Sequence, residues 1–220
     1  MRWPEGMAIL ELKHDALGSI RLIDNDATPC IERDTRTAQR GLGWLARYLA
    51  AREAAMLGAV RGAAGVPQLL AFDGRVLRRS YLPGAPLYAA TRVSPVYFTR
   101  ALRLLRRLHR AGVAHNDLAK EANWLCGPGD MPGIIDFQVA TLSRRRGKWF
   151  RHLAHEDLRH LLKHKRTYQP QRLTARQRAM LAAPALSTRL WRALWKPAYR
   201  VLTRRVLGWP ERTGPVERQR

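Results

Sequence analysis

Short alternating apolar runs open this chain, and runs at helical spacing follow them. The first two candidate strands, residues 9–12 and 19–23, meet around Gly18, and residues 30–33 read as a third. From 43 to 60 the pattern changes to a helix, with Leu42, Leu45, Leu49, Met56 and Val60 on one stripe. Glu53 falls on that stripe where another apolar residue is expected. Two further strands, 66–72 and 76–82, flank the turn Asp73-Gly74. Pro83 and Gly84 then break both kinds of regular structure. A second helix spans 96–110, with Phe98, Ala101, Leu102, Leu105 and Leu108 on one face, and Gly112 ends it. A third is expected over 150–164. A fourth, over 184–209, carries Leu190, Leu194 and Ala198 on one face with Trp191, Trp195 and Tyr199 beside it. The polar end from 211 to 220 is expected to be disordered.

Two segments carry chemistry. Residues 115–125 include His115, Asp117, Lys120, Glu121 and Asn123, and the apolar pair Ile134-Ile135 leads into Asp136-Phe137-Gln138. An apolar strand ending in Asp, shortly after a loop with another Asp and an Asn, suits phosphoryl transfer. Asp117 can accept the proton of an attacking hydroxyl, while Asn123 and Asp136 can offer oxygens to Mg²⁺ across the phosphates of ATP. Hydrolysis with Asp117 and Asp136 as a pair is the rival use of these carboxylates. Glu53, if it faces the core, needs a cationic partner, because an unpaired buried charge costs several kcal/mol. The other reading makes it a surface charge.

These segments resemble the H-R-D-x-x-x-x-N loop and the D-F-G motif of the protein-kinase superfamily, and most of all its compact bacterial members. Those are the kinases of lipopolysaccharide core and Kdo sugars and the RIO-type kinases. The run from Leu108 to Asp117 is the best-matched stretch. Asn116 stands at the usual Arg, Gln138 at the usual Gly, and Asn123 lies one residue further from Asp117 than is common. The resemblance implies an α+β, two-lobed, reduced protein-kinase-like fold. Its N-lobe, 1–83, is a small antiparallel sheet with one helix, its C-lobe, 84–183, is mostly helical, and a basic aromatic segment, 184–220, follows. It further implies that Arg33 takes the place of the strand Lys that pairs with the helix Glu, here Glu53, and meets the phosphates. Lys13 is a second candidate for that cation. The backbone near Tyr81 and Leu82 would bind adenine, and Lys120 would neutralise the transferring phosphoryl group. Asp157 resembles the helix Asp that braces the catalytic loop. No G-x-G-x-x-G is present, and no long activation segment ending in A-P-E follows Asp136.

Charge narrows the partners. With 40 Lys and Arg against 17 Asp and Glu, the net charge is +23, which suits an anionic partner. A solvated surface of an Arg-rich chain is the plainer account. The expected acceptor is a hydroxyl on an anionic molecule such as a lipopolysaccharide or Kdo-type sugar, with the 184–209 helix at the membrane surface. A RIO-like serine/threonine protein kinase or ATPase is the alternative, with nucleic acid a less favoured partner, and a non-catalytic pseudokinase is the second alternative. Cys30 and Cys126 have no metal spacing, no stretch is apolar enough to span a bilayer, and no signal peptide is expected. The expected location is cytoplasmic, with peripheral contact at the inner face of the membrane.

Overall fold

The computed structural model of the protein describes residues 8–24, 28–90 and 92–182. The expected 184–209 helix, the polar end and the 184–220 division lie outside them. Up to Leu181 the chain packs as one unit.

Its first part is a five-stranded antiparallel sheet in the order β1-β2-β3-β5-β4, built from β1 (Ala8–Asp15), β2 (Gly18–Asp24), β3 (Cys30–Asp34), β4 (Leu69–Phe72) and β5 (Val76–Ser80). The register sets Arg33 opposite Leu77, Glu32 opposite Arg78 and Ile31 opposite Arg79. Successive strand residues face opposite sides, so Ile31, Arg33, Leu77 and Arg79 share one face. On the other face Arg78 Nε donates to Glu32 at 2.8 Å.

Helix α1 (Gly43–Ala59) covers the first of these faces. Its most buried line runs through Ala46, Ala50, Glu53, Ala54 and Leu57, while Leu42, Leu45 and Leu49 are only half-buried. The expected leucine stripe is therefore rotated by about one residue. Alanines at the closest approach let the helix axis sit near the sheet, and the larger leucines flank that seam.

The β1–β2 hairpin shows why Gly18 is glycine. Its φ is +117°, and a Cβ there would lie 2.2 Å from the carbonyl oxygen of Asp34. Ala16 and Leu17 at the tip are buried, and Gln39 N–H donates to the Ala16 carbonyl at 3.1 Å. The tip is thus tied to the β3–α1 connection.

The second part is built around α2 (Pro95–Arg110) and α3 (Lys148–Tyr168). Ser94 caps α2 by accepting from Val96 N–H at 3.1 Å, and Pro95 occupies its first turn. Leu105, Leu108, Trp124, Ile134 and Phe137 form the centre of its core. Short strands frame the segments around Asp117 and Asp136: β6 (Ala85–Pro86), β8 (Trp124–Gly127) and β9 (Met131–Ile134) make one small sheet, and β7 (Val113–Ala114) pairs with β10 (Thr141–Leu142). Pro86 and Pro132 lie on the two edge strands of the first, where a missing N–H is tolerated. Helix α4 (Ala175–Ala182) follows. Across the two parts, Arg52 on α1 donates from Nη2 to the Ala140 carbonyl at 2.6 Å.

Candidate active site

The loop after β7 holds the first group of candidate residues. It is fixed from below by Asp157 of α3, which is almost fully buried. Its carboxylate accepts from His115 N–H at 2.7 Å and Asn116 N–H at 2.9 Å, and His109 Nε2 lies 3.1 Å from it. Buried amides need partners, and here one carboxylate serves two consecutive ones. His115 Nε2 lies 3.0 Å from the Ile135 carbonyl and, since a carbonyl only accepts, carries the proton. The His115 ring also meets Phe137 edge-on at 4.8 Å. His115 is therefore structural, joining the two candidate segments from inside.

Asn116 joins them from outside. Held at φ +67°, it donates from Nδ2 to the Val139 carbonyl and to Thr141 Oγ, both at 2.9 Å. Asparagine tolerates this left-handed conformation better than most side chains. The residue that stands at the usual Arg position thus ties the loop directly to the segment after Asp136.

Asp117 is partly exposed and receives Lys120 Nζ at 2.7 Å and Asn123 Nδ2 at 3.0 Å on its Oδ2. Asn123 Nδ2 also reaches the Asp117 main-chain carbonyl at 2.9 Å. Both donors of the loop therefore converge on one oxygen of Asp117, and the Asn123 amide oxygen remains for another partner. Leu118 is buried, and its carbonyl takes Trp124 Nε1 at 3.2 Å and His164 Nε2 at 2.8 Å. Across this turn Asp117 and Asn123, six residues apart, meet.

Glu121 points back to α3. It accepts from Tyr168 Oη at 2.7 Å and lies 3.6 Å from His164 Nδ1. Burial pushes the His164 pKa below its usual range, against the opposing pull of the Leu118 carbonyl and Glu121. One turn earlier, burial pushes His160 down to about 4. Among the described residues no group of three or more His, Cys, Asp or Glu is placed to hold a metal.

The second segment brings Asp136 alongside. Ile135 N–H donates to the Asn123 carbonyl at 3.1 Å, which sets Asp136 next to the Asn123 turn. Asp136 itself has φ +69°, and its half-buried carboxylate makes no hydrogen bond or ion pair with the described residues. In a chain of net charge +23, a half-buried carboxylate with no cation paired to it among the described residues is open to an external one. With the Asn123 oxygen it makes a small, hard oxygen-donor set of the kind Mg²⁺ accepts while keeping most of its waters. These residues fit that ion.

Arg33 and Glu53 also come together. Glu53 is fully buried, and Arg33 Nε lies 3.6 Å from its Oε2. Arg79, on the same sheet face, reaches Oε1 at 3.4 Å. Both contacts are longer than good hydrogen bonds, and neither Glu53 oxygen has a hydrogen-bond partner. The grouping is an electrostatic cluster of two guanidiniums around one carboxylate, with one positive charge in surplus. Sequence reasoning missed Arg79: Arg78 and Arg79 are adjacent, and only the β3–β5 register shows which of them faces α1. Lys13, the other candidate cation, pairs with Asp15 at 2.6 Å at the end of β1. Tyr81 uses its N–H on the Pro29 carbonyl at 3.1 Å, so any contact it offers a base is through its carbonyl, beside the Leu82 N–H. A groove of about 340 Å³ between α2 and the end of α3, lined by Arg100, Arg103, Lys165 and Arg172, holds none of these residues.

No protein-family model matches the chain, and no curated protein sequence does. Among solved structures it is similar to Rio2 kinase from Chaetomium thermophilum. The ADP/Mg²⁺–phosphoaspartate complex of that protein has a TM-score of 0.58 at 16% identity, covering 87% of this chain and 67% of that chain. A second Rio2 structure from the same organism has a TM-score of 0.57 at 14% identity, covering 83% and 73%. At such identities the likeness concerns the fold, which is α+β and protein-kinase-like.

Proposed function

We propose that this protein is an ATP- and Mg²⁺-dependent phosphotransferase acting on a hydroxyl. The observation that carries the reading is Asp136, whose carboxylate has no partner among the described residues, set beside Asn123, whose Nδ2 in turn meets Asp117 at 3.0 Å. In this reading Asn123 and Asp136 hold Mg²⁺, which screens the phosphate charges. Asp117 orients the acceptor hydroxyl and takes its proton late, since a loose transition state asks mainly for positioning. Lys120, which rests on Asp117, supplies positive charge for the transferring group. Arg33 supplies the phosphate-binding charge, and Arg79 keeps Glu53 compensated when Arg33 turns to the nucleotide. Tyr81 and Leu82 offer a backbone carbonyl and N–H to the adenine edge.

The acceptor is a hydroxyl on an anionic molecule, and a lipopolysaccharide or Kdo-type sugar at a membrane surface agrees with the basic charge. A RIO-like protein kinase or ATPase is the second reading, favoured by the Rio2 neighbours, one of which carries a phosphoaspartate. The pseudokinase reading draws on the tied-down hairpin tip and on Arg33 at the Lys position.

The test is transfer from γ-labelled ATP with Mg²⁺, offered separately to a lipopolysaccharide-containing membrane extract and to a soluble protein–RNA extract, with Asp117→Ala as control. Label in glycolipid that vanishes in the control supports the sugar kinase. Label in protein supports the RIO-like kinase, and hydroxylamine-labile label on this chain supports the ATPase. No Asp117-dependent label, together with nucleotide binding that ignores Mg²⁺, overturns the proposal.

A further inference from the structure

The short segment that joins Asp136 to α3 is exposed, basic and partly apolar, and it lies against the catalytic loop. No acidic residue occurs between Asp136 and Glu156, whereas Arg144, Arg145, Arg146, Lys148 and Arg151 are all exposed. Among them stand Val139, 43% exposed, Leu142, 39% exposed, and Trp149, 64% exposed. Such large apolar side chains left in water beside a dense positive charge ask for a partner that takes both.

The segment is also held in place. Thr141 and Leu142 pair with Ala114 and Val113, and Ser143 N–H donates to the Gly112 carbonyl at 2.8 Å. Gly112, at φ +80°, permits this approach, since a Cβ there would lie 2.7 Å from the Ser143 carbonyl oxygen. Asn116 fixes Val139 and Thr141 from the catalytic side. Trp149 stacks on His152 at 5.9 Å, and Phe150 anchors the start of α3 against His109. These bonds hold Val139 to Ser143 against residues 112–116, just before Asp117, with the basic run following directly, and exposed Arg110 at the end of α2 adds to the charge.

We propose that this rim, Val139 to Arg151, docks on an anionic phospholipid surface and sets the catalytic loop at the headgroup layer. Charge complementarity supplies the attraction, each Lys or Arg near such a surface adding about 1 kcal/mol. The apolar residues choose lipid over nucleic acid. An indole can stack on a base, but Val139 and Leu142 have no stacking face, whereas the boundary between headgroups and acyl chains takes aliphatic side chains and indole alike. The docking surface does not depend on the phosphotransferase reading. It bears on it by selecting acceptors presented at a membrane.

The experiment is co-sedimentation of the full chain with phosphatidylcholine vesicles, with and without phosphatidylglycerol, at low and high salt. Three proteins are compared: wild type, Arg144→Ser/Arg145→Ser/Arg146→Ser, and Leu142→Ser/Trp149→Ser. Wild type should bind only the anionic vesicles, the triple variant about a hundredfold more weakly, and the double variant measurably more weakly with the same salt dependence. Thermal melts of the variants check that they fold. Variants that fold yet bind vesicles as wild type does overturn the proposal. So does a wild type that ignores the vesicles but binds single-stranded polyuridylate through the same arginines. Loss of vesicle binding with Asp117-dependent transfer intact, or the reverse, separates this proposal from the phosphotransferase one.

Discussion

At single residues, a few positions have their identity imposed by close quarters. Gly18 is the sharpest, with a positive φ and no room for a Cβ beside Asp34. Gly18→Ala is expected to lower stability by more than about 1 kcal/mol, read as a fall in the urea midpoint with the slope unchanged. An unchanged midpoint would mean that the hairpin tip can lift away from β3. Glu53 is the second. Its carboxylate is the only negative charge between Arg33 and Arg79 among the ion pairs of the described residues, so removing it leaves two guanidiniums facing each other. Glu53→Gln is expected to cost about 3–5 kcal/mol, and Arg79→Met less, because Arg33 still compensates the carboxylate. Combining the two should recover part of the loss, and a double-mutant cycle by chemical denaturation measures that coupling. A cycle that is simply additive would remove Arg79 from the cluster.

At the scale of elements, α3 serves as a scaffold for the loop above it. Asp157 holds two loop amides, while His164 and Tyr168 hold the Leu118 carbonyl and Glu121. Asp157→Ala should cost about 1–3 kcal/mol for each buried N–H left without a partner. Amide exchange at His115 and Asn116 should speed up far more than exchange in the β1–β5 sheet. Equal protection of both amides before and after the change would show that the loop does not need this brace. The stitches from Asn116 to Val139 and Thr141, and from Arg52 to Ala140, belong to the same scale. They couple the loop that holds Asp117, the segment after Asp136 and α1.

For the molecule as a whole, acid should act through two histidines of α3, half-buried His160 and buried His164. His160 has a folded pKa of about 4 against an ordinary 6.5, and burial lowers His164 in the same sense. Between those values the unfolded chain binds protons that the folded chain refuses, so stability rises with pH across that window. The contribution is complete above 6.5 and is lost as the pH falls toward 4. Thermal melts from pH 7 to pH 4 should show a falling midpoint, and His160→Gln should flatten part of that slope. A variant with the wild-type slope would assign the acid sensitivity elsewhere.

Much of this was legible along the chain. The strands of the sheet, helices α1 to α3 and the order of Asp117, Asn123 and Asp136 follow from periodicity, turn residues and local motif, all of which act over a few neighbouring positions. That Glu53, on an apolar stripe, would need a cation was legible too, but it was the family resemblance that singled out Arg33, which lies 3.6 Å from it. What the chain order could not decide is anything set by register or by distance in sequence. Arg79 joined the cluster only once β3 and β5 were aligned, and α1 seated on its alanines because closeness of packing outweighed side-chain size. The Asn116 stitch depended on contacts more than twenty residues away. The lone carboxylate of Asp136 is the clearest case: its residue type and motif are written in the sequence. That no cation of this strongly basic protein comes to meet it among the described residues is a property of tertiary structure alone, since only folding determines which charges meet.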